Sequence, residues 1–384
     1  MKQRILIAFV LLLVPIAGAQ VYTITDLGPL SPTAINTWGQ VVGNRGGHAW
    51  IWTRFGGFED LGLLPGGNFS MAASINDLGE VVGTADGIGV ESYADFPANQ
   101  CTGLIQPFVW TRTTGMNGLG TRALNDGFPW VDNPCFIPEF ATKNNILGQV
   151  VGYTGAFATY QYGFLFSKDS WISYGPFGDT PDSANAVNRT GQVVGQVGDD
   201  ECTGCSPRHA ASWTNGVMVD LGTLGGTDPH YLYGSSANDV NDRGQIVGWS
   251  GTSVDTFDGG TFHAVSWTKT GSIRDLGTLP GDTLSAALKI NLFGQVIGSS
   301  GNTRLYTLYD ATLDPCCSLG VSGRPFIWSE HRGMRDLNTL IRANSGWVVK
   351  SATDINVWGQ IVGSGTLNGQ PRGFLLTPKE LFDF

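Results

Sequence analysis

One eight-residue pattern, Asn-x-x-Gly-Gln-Val-Val-Gly, returns along the chain with small variations and constrains the fold more than any other feature. It starts at seven asparagines: Asn36, Asn76, Asn145, Asn188, Asn241, Asn291 and Asn356. Recurrence at intervals of tens of residues is typical of repeat architectures, in which each repeat is one supersecondary unit. Asn-x-x-Gly predicts a type I turn that ends on a left-handed glycine, and Gln-Val-Val-Gly predicts a strand buried on both faces.

Each repeat contains four segments with the character of strands. In the fifth repeat these are Ser235–Asn241, Gln245–Ser250, Phe262–Trp267 and Ser272–Leu279. All are short, rich in β-branched or aromatic residues, and bounded by Gly, Asn, Asp or Thr. Seven repeats of four strands predict an all-β chain, a seven-bladed β-propeller of four-stranded blades. A parallel β-solenoid is the alternative architecture.

The two ends of the repeat array complement each other. The seventh repeat stops after its third strand, at Gly373–Pro378, and the missing fourth strand, of Asp-Leu-Gly type, lies at Val21–Gly28. We therefore expect the N-terminal strand to complete the last blade, which would close the ring and remove the exposed sheet edges. Residues 20–384 would then form a single domain.

The first 19 residues have the character of a secretory signal peptide. Lys2 and Arg4 precede an apolar run, and Ala17-Gly18-Ala19 resembles a cleavage site. The sequence thus predicts an exported protein, periplasmic or extracellular, with no membrane span in the mature chain. Its formal net charge is −10, and it has no Lys/Arg cluster, which argues against nucleic acid as a partner.

The repeats resemble the HAF-repeat family of predicted extracellular bacterial proteins. The resemblance lies in Asp220–Gly226, in Asn241–Gly248, and in a His-Ala pair before the third strand at His48, His209 and His263. The His-Ala-Phe tripeptide of the family is never complete, because Trp, Ala or Val replaces Phe. The resemblance implies a repeat protein and export, and it implies no particular activity.

In a propeller, the loops between second and third strands and those between blades lie on one face, which we call the long-loop face. Five long segments fall there: Thr84–Gln106, Thr121–Ala141, Gln196–Arg208, Trp249–Thr261 and Ser299–Arg324. Long loops on a rigid scaffold are where binding usually resides. Candidate ligand-binding residues in these loops are Tyr93, Trp130, Asp200, Glu201, Phe257, Asp258, Tyr306 and Tyr309. Their carboxylates suit a solvated acidic surface, glycoside hydrolysis or calcium binding.

All six cysteines fall in the same loops: Cys101, Cys135, Cys202, Cys205, Cys316 and Cys317. An even number in an exported chain favours disulfides, and we expect Cys101 and Cys135 to be neighbours and to pair. Cys202 and Cys205 suit a local or loop-restraining disulfide, although their spacing also occurs in redox motifs and zinc sites. Cys316 and Cys317 could pair with each other or with separate partners.

The opposite face, which carries the Asn-x-x-Gly turns, is the turn face. The residue before the turn glycine is apolar in five blades that are consecutive around a closed ring: Trp38, Leu78, Leu147, Phe293 and Trp358. Exposed, this apolar arc would mark a partner surface; packed against neighbouring turns, it would be structural. The recurring Trp52, Trp110, Trp213, Trp267 and Trp328 suit the core, and the repeated histidines suit a structural role.

No Gly-x-Ser-x-Gly, phosphate-loop or His-Glu-x-x-His motif is present in the sequence. The leading hypothesis is therefore an exported, non-catalytic scaffold that binds a protein or a glycan through its long-loop face. The alternatives are a polysaccharide-binding or polysaccharide-cleaving protein and a cell-surface adhesion protein. We expect a monomer with no cofactor or metal, and calcium is the one ion that the acidic loops suggest.

Overall fold

The computed structural model describes residues 21–88, 103–120, 139–155, 161–167, 170–172, 183–197, 209–225, 234–252, 261–268, 270–306 and 319–379. These residues form seven four-stranded antiparallel sheets, and their only helix is a 3-10 turn at Leu337–Thr339. The fold is a seven-bladed β-propeller, as the sequence predicts.

Within each blade the strands follow one another from the centre outward. Blades one and two comprise β2 (Ser31–Ile35), β3 (Val41–Arg45), β4 (His48–Thr53) and β5 (Gly57–Asp60), then β6 (Ser70–Ile75), β7 (Val81–Gly87), β8 (Leu104–Thr111) and β9 (Gly115–Gly118). Blades three and four comprise β10 (Glu139–Asn144), β11 (Val150–Gly155), β12 (Gln161–Ser167) and β13 (Ser170–Ile172), then β14 (Ser183–Val187), β15 (Val193–Val197), β16 (His209–Thr214) and β17 (Val217–Asp220).

The remaining blades repeat this arrangement. Blades five and six comprise β18 (Ser235–Val240), β19 (Ile246–Gly251), β20 (Phe262–Trp267) and β21 (Ile273–Gly277), then β22 (Leu284–Ile290), β23 (Val296–Tyr306), β24 (Leu319–Ser329) and β25 (Gly333–Asp336). Blade seven comprises β26 (Trp347–Ile355), β27 (Ile361–Leu367), β28 (Gln370–Pro378) and, as its outermost strand, β1 (Tyr22–Asp26).

Strand β1 closes the ring, which confirms the predicted complementarity of the chain ends. It pairs antiparallel with β28, with Ile24 opposite Leu376 and Asp26 opposite Phe374. Leu27 donates its N–H to Gly373 O at 2.9 Å, which continues the pairing beyond the strand. The Tyr22 side chain is buried in the apolar cluster between blades six and seven, and this burial raises its pKa to about 12.

The repeated asparagine organises the turn in every blade. Its Oδ1 accepts the backbone N–H groups two and four residues later, and the turn glycine adopts a φ of +71° to +80°. In blade five, Asn241 Nδ2 also donates to Gln245 Oε1 at 2.8 Å. One side chain therefore satisfies two backbone N–H groups of the turn, while the left-handed glycine reverses the chain without steric strain.

The same asparagines form a closed circle of hydrogen bonds between blades. The Nδ2 of each donates to the backbone oxygen of the next repeat's asparagine, and the last bond, from Asn356 to Asn36 O, measures 3.0 Å. All seven asparagines are buried. Since the circle returns to its starting residue, it links the seven turns at the centre of the propeller independently of the β1–β28 pairing.

The glycine that ends the Gln-Val-Val-Gly strand is required for packing. A Cβ at Gly83 would lie 1.9 Å from Met71 O of the first strand and 2.8 Å from the Phe108 ring. Equivalent conflicts with the first strand occur at the other six glycines of this position: Gly43, Gly152, Gly195, Gly248, Gly298 and Gly363. Glycine is therefore the residue that permits close approach of the first two strands at this point.

The apolar core lies between neighbouring blades. One cluster joins Val42 and Ala49 of blade one to Val81 and Phe108 of blade two, and similar clusters follow around the ring. Four of the five recurring tryptophans are buried in these clusters: Trp110, Trp213, Trp267 and Trp328. Trp52 is partly buried and packs against the cluster between blades seven and one. This placement explains why the repeat position shared by these tryptophans favours a large aromatic residue.

The repeated histidines join the third and fourth strands of blades one, four and five. His48 Nδ1 lies 2.7 Å from Asp60 Oδ2, and the other Asp60 oxygen accepts Gly62 N–H at 2.8 Å. Ser70 of the next blade then donates to Gly62 O and accepts Ala49 N–H. The same arrangement recurs around His209 and His263. The His, Asp-Leu-Gly and Ser positions thus connect adjacent blades.

We expect Asn241→Ala to lower the free energy of unfolding by about 2–4 kcal/mol, because it leaves several buried turn groups without partners. Asn117→Ala, which removes an exposed asparagine amide bonded only within its own hairpin, should change it by less than about 0.5 kcal/mol. Urea denaturation followed by tryptophan fluorescence measures both. Equal, small effects in the two variants would contradict a stabilising role for the circle.

Candidate functional site

A channel enters the centre of the propeller from the turn face. The first strands of the blades and the turns that follow them line a cavity of about 380 Å³ that opens on the turn face. Every first strand has a β-bulge three residues before its turn asparagine. Bulges re-aim side chains, and the residue that follows each bulge is the one that differs most between blades. These seven wall positions are Ala34, Ser74, Lys143, Ala186, Asp239, Lys289 and Asp354.

A buried ion pair spans part of this channel. Lys143 of blade three contacts Asp239 of blade five, across blade four, whose equivalent residue is the small Ala186. Asp239 is 2% exposed, and its second oxygen accepts Ile290 N–H at 3.0 Å. Burial alone would raise the pKa of Asp239, but Lys143 and Lys289 hold it below its ordinary value. Burial alone would lower the pKa of Lys143, but Asp239 holds it above its ordinary value. Both groups are therefore charged near neutral pH.

Asp354 and Lys289 complete the charged wall. The two Asp354 oxygens accept the backbone N–H groups of Ile35 and Ile355, each at 2.9 Å. Burial raises the pKa of Asp354 despite the nearby Lys289 and Lys143. Lys289 makes no ion pair or hydrogen bond with the described part of the chain. The wall thus holds two lysines and two aspartates, of which only one pair is in direct contact.

The mouth of the channel on the turn face is also charged. Arg189 lies between Asp77 and Asp242, with Nη2 3.6 Å and Nε 3.5 Å from their carboxylates. Asp242 additionally accepts Arg189 N–H at 2.8 Å, and Asp77 accepts Thr37 N–H at 2.9 Å. All of these groups line the cavity. The mouth can therefore admit polar or charged molecules.

The apolar arc is exposed on the turn face. Trp38 is 73% exposed, and Leu78, Leu147, Phe293 and Trp358 range from 45% to 68%. Each tryptophan nevertheless has a fixed orientation, because Trp38 Nε1 donates to Asp77 O and Trp358 Nε1 donates to Thr37 O, both at 2.9 Å. Phe55, 98% exposed, stands with Trp38 and Leu78 along a groove between blades one and two.

On the long-loop face, the structure describes strand ends and short turns. Of the predicted ligand-binding residues, only Tyr306 lies in a described strand, at the end of β23, and its side chain is outside the description. The others lie outside the described residues: Tyr93, Trp130, Asp200, Glu201, Phe257, Asp258 and Tyr309. All six cysteines also lie outside the described residues, so the pairing of Cys101 with Cys135 stays a prediction.

The charged channel was not anticipated from the sequence, although a signal for it exists. Aligning the seven repeats on their turn asparagine shows that the position two residues earlier changes between Ala, Ser, Lys and Asp. A position whose charge varies within an otherwise strict repeat is not determined by the fold that the repeats share. The sequence alone leaves the direction of that side chain undetermined, because the bulge beside it reverses the alternation of faces.

No group of three or more His, Cys, Asp or Glu side chains among the described residues is arranged to hold a metal ion. Within the same part of the chain, no helix has the length and apolar character needed to cross a membrane.

The chain is similar to known propeller structures. The chain matches no protein-family model and no curated protein sequence. The β-propeller domain of the Trilobed protease from Pyrococcus furiosus is 10% identical, with 95% of this chain and 99% of that chain covered and a TM-score of 0.49. Virginiamycin B lyase from Staphylococcus aureus is 9% identical, with 93% and 99% covered and a TM-score of 0.46. The assignment of the fold rests on the strand pairing of this chain itself.

Proposed function

We propose that the protein is an exported, non-catalytic member of the HAF-repeat family that binds a protein or a glycan through its long-loop face. The observation that carries this proposal is the difference between the two faces. The turn face repeats one Asn-x-x-Gly turn seven times, with the same hydrogen bonds in each blade. On the other face, the connections between second and third strands differ greatly in length.

Short connections are sufficient for this sheet geometry. In blade one, Gly46 and Gly47 alone join β3 to β4, and in blade seven Asn368 and Gly369 alone join β27 to β28. In blade two, residues 88–103 separate the second strand from the third, and in blade five residues 252–261 do so. The additional chain is not needed to build the blade. Its concentration on one face of a rigid scaffold supports recognition of a partner there.

Blade five offers a test that leaves the cysteines intact. Thr252 donates its Oγ1 and its N–H to Thr261 O, at 3.1 and 3.0 Å, so the two residues already close the hairpin. We expect replacement of residues 253–260 by Asn-Gly to preserve the melting temperature. The same change should weaken retention on the best probe of a glycan array and an extracellular-protein array about tenfold or more, a loss of about 1.4 kcal/mol.

A second candidate function is adhesion through the turn face, favoured by the exposure of the apolar arc. The double variant Trp38→Ser, Trp358→Ser alters that face alone and is the matched control. Loss of retention only in the loop variant supports the long-loop face, whereas loss only in the tryptophan variant supports adhesion. If neither variant changes retention, or the unaltered protein binds no probe, the proposed binding function is wrong.

A further inference from the structure

A ring of backbone N–H groups faces the central channel. Each turn asparagine donates its N–H to the second strand, as in Asn36 N to Gln40 O at 3.1 Å. Because hydrogen-bonding directions alternate along a strand, the N–H of the preceding residue points away from the second strand and toward the channel. The seven residues concerned are Ile35, Ile75, Asn144, Val187, Val240, Ile290 and Ile355. These donors require acceptors, as buried backbone groups generally do.

The wall itself supplies acceptors in only part of the ring. Asp239 extends from blade five to Ile290 N–H in blade six. Asp354 extends from blade seven to Ile35 N–H in blade one and also accepts Ile355 N–H of its own blade. A carboxylate at the wall position is thus within reach of the next blade's N–H, and a single carboxylate can accept from two neighbouring blades.

In blades one to four the corresponding carboxylate is missing. The wall position there holds Ala34, Ser74, Lys143 and Ala186. No side chain of the described residues accepts from the N–H groups of the four blades that follow: Ile75, Asn144, Val187 and Val240. Ala34 and Ser74 are small, and both line the cavity. The space beside these two residues is therefore unfilled. It is also lined by backbone N–H groups whose equivalents elsewhere in the ring donate to Asp239 or Asp354.

A positive charge faces this space from the opposite wall. Lys289 belongs to blade six, which stands across a seven-membered ring from blades two and three. Its ammonium group makes no ion pair or hydrogen bond with the described residues, although it acts at longer range on Asp239 and Asp354. It lines the same cavity. Hydrogen bonds from a cation and from backbone N–H groups to a carboxylate are among the stronger polar contacts in proteins. Lys143, in contrast, is already paired with Asp239.

From this arrangement we propose that the central channel binds a small organic carboxylate. Its oxygens accept the N–H groups of Ile75 and Asn144, beside Ser74, and Lys289 balances its charge. The ligand enters through the turn-face mouth, past Arg189, and occupies the place that an aspartate occupies in blades five and seven. The cavity of about 380 Å³ accommodates a molecule of a few carbon atoms. This site is separate from the long-loop face.

The substitution Ser74→Asp tests the proposal by supplying the missing carboxylate from the protein. Acetate, succinate and citrate are the organic probes and inorganic phosphate is the alternative oxyanion, each titrated calorimetrically against the full mature chain. We expect at least one organic acid to bind with a stoichiometry of one. Ser74→Asp and Lys289→Met should each weaken that binding about tenfold or more, because the first occupies the N–H groups and the second removes the cation.

Lys350→Met is the matched control, since it removes an exposed lysine of β26 outside the channel and should leave binding unchanged. Melting curves verify that each variant is folded, and Lys289→Met remains informative if Ser74→Asp fails to fold. The proposal is overturned if none of the three organic acids binds at 10 mM, a concentration about ten times a weak millimolar dissociation constant. It is also overturned if the channel variants bind as the unaltered protein does, or if phosphate binds as tightly as the best carboxylate.

Discussion

A chain that begins at Gly28, and so lacks β1, is expected to lose the cooperative unfolding transition of the whole propeller. Deletion removes the five-residue pairing between β1 and β28 and uncovers β28 as an open edge. It also removes Tyr22 and Leu27, both buried between blades. Burial of two large side chains together with the strand pairing contributes about 5–10 kcal/mol, which is comparable with the total stability of an ordinary domain.

The measurement is guanidinium denaturation followed in parallel by far-UV circular dichroism and tryptophan fluorescence. Thr23→Ala is the control within the same strand, because it removes only an exposed side-chain hydrogen bond to Thr377 O and should cost less than about 0.5 kcal/mol. A truncated chain with the same midpoint and the same slope as a chain of residues 20–384 would show that β1 is dispensable for closure.

The second large effect is expected at the buried ion pair. Lys143→Met should destabilise the fold by about 3–5 kcal/mol at neutral pH, because it leaves the Asp239 carboxylate buried without its cation. Lys289→Met, in the same channel, breaks no direct ion pair and should cost clearly less. The double variant Lys143→Met, Asp239→Asn should regain part of the loss, since the remaining amide is uncharged. Chemical denaturation of the four proteins measures these differences.

The pH dependence of the Lys143→Met variant has a defined sign. In the unaltered protein the pKa of Asp239 lies below 3.8, so the stability contributed by this carboxylate is present above that pH and is lost as the pH falls through the folded-state pKa. Without Lys143, burial dominates and the pKa of Asp239 rises above its unfolded value. The variant should therefore recover stability relative to the parent as the pH falls below neutrality. A destabilisation independent of pH between 4 and 7 would contradict this electrostatic explanation.

The sequence was sufficient to predict the propeller scaffold because every blade is built from the same short pattern of residues. Asn-x-x-Gly fixed the turn, adjacent valines indicated the buried second strand, and the unpaired Asp-Leu-Gly segment at Val21–Gly28 indicated closure. Each of these inferences depends on neighbouring residues in one hairpin or on matching the two ends of the array. The structure confirms all three.

Contacts between different blades could not be predicted from the sequence. Asn241 could be assigned to its own turn, but its bond to Asn291 O requires the angle and spacing between two blades. In the same way, Lys143 and Asp239 are separated by an intervening repeat, and the channel brings them together. The exposure of Trp38 depended on how neighbouring turns pack, so the sequence left both interpretations of the apolar arc open.

Closure of the ring by the N-terminal strand is the central claim about this fold, and native-state hydrogen exchange tests it most directly. The amide of Leu27, bonded to Gly373 O, and those of β1 that pair with β28 should exchange only through global unfolding. Their opening free energies should match those of β27 amides within about 1 kcal/mol. Exchange of the β1 amides at nearly the rate of an unstructured peptide, while β27 stays protected, would contradict the closed propeller.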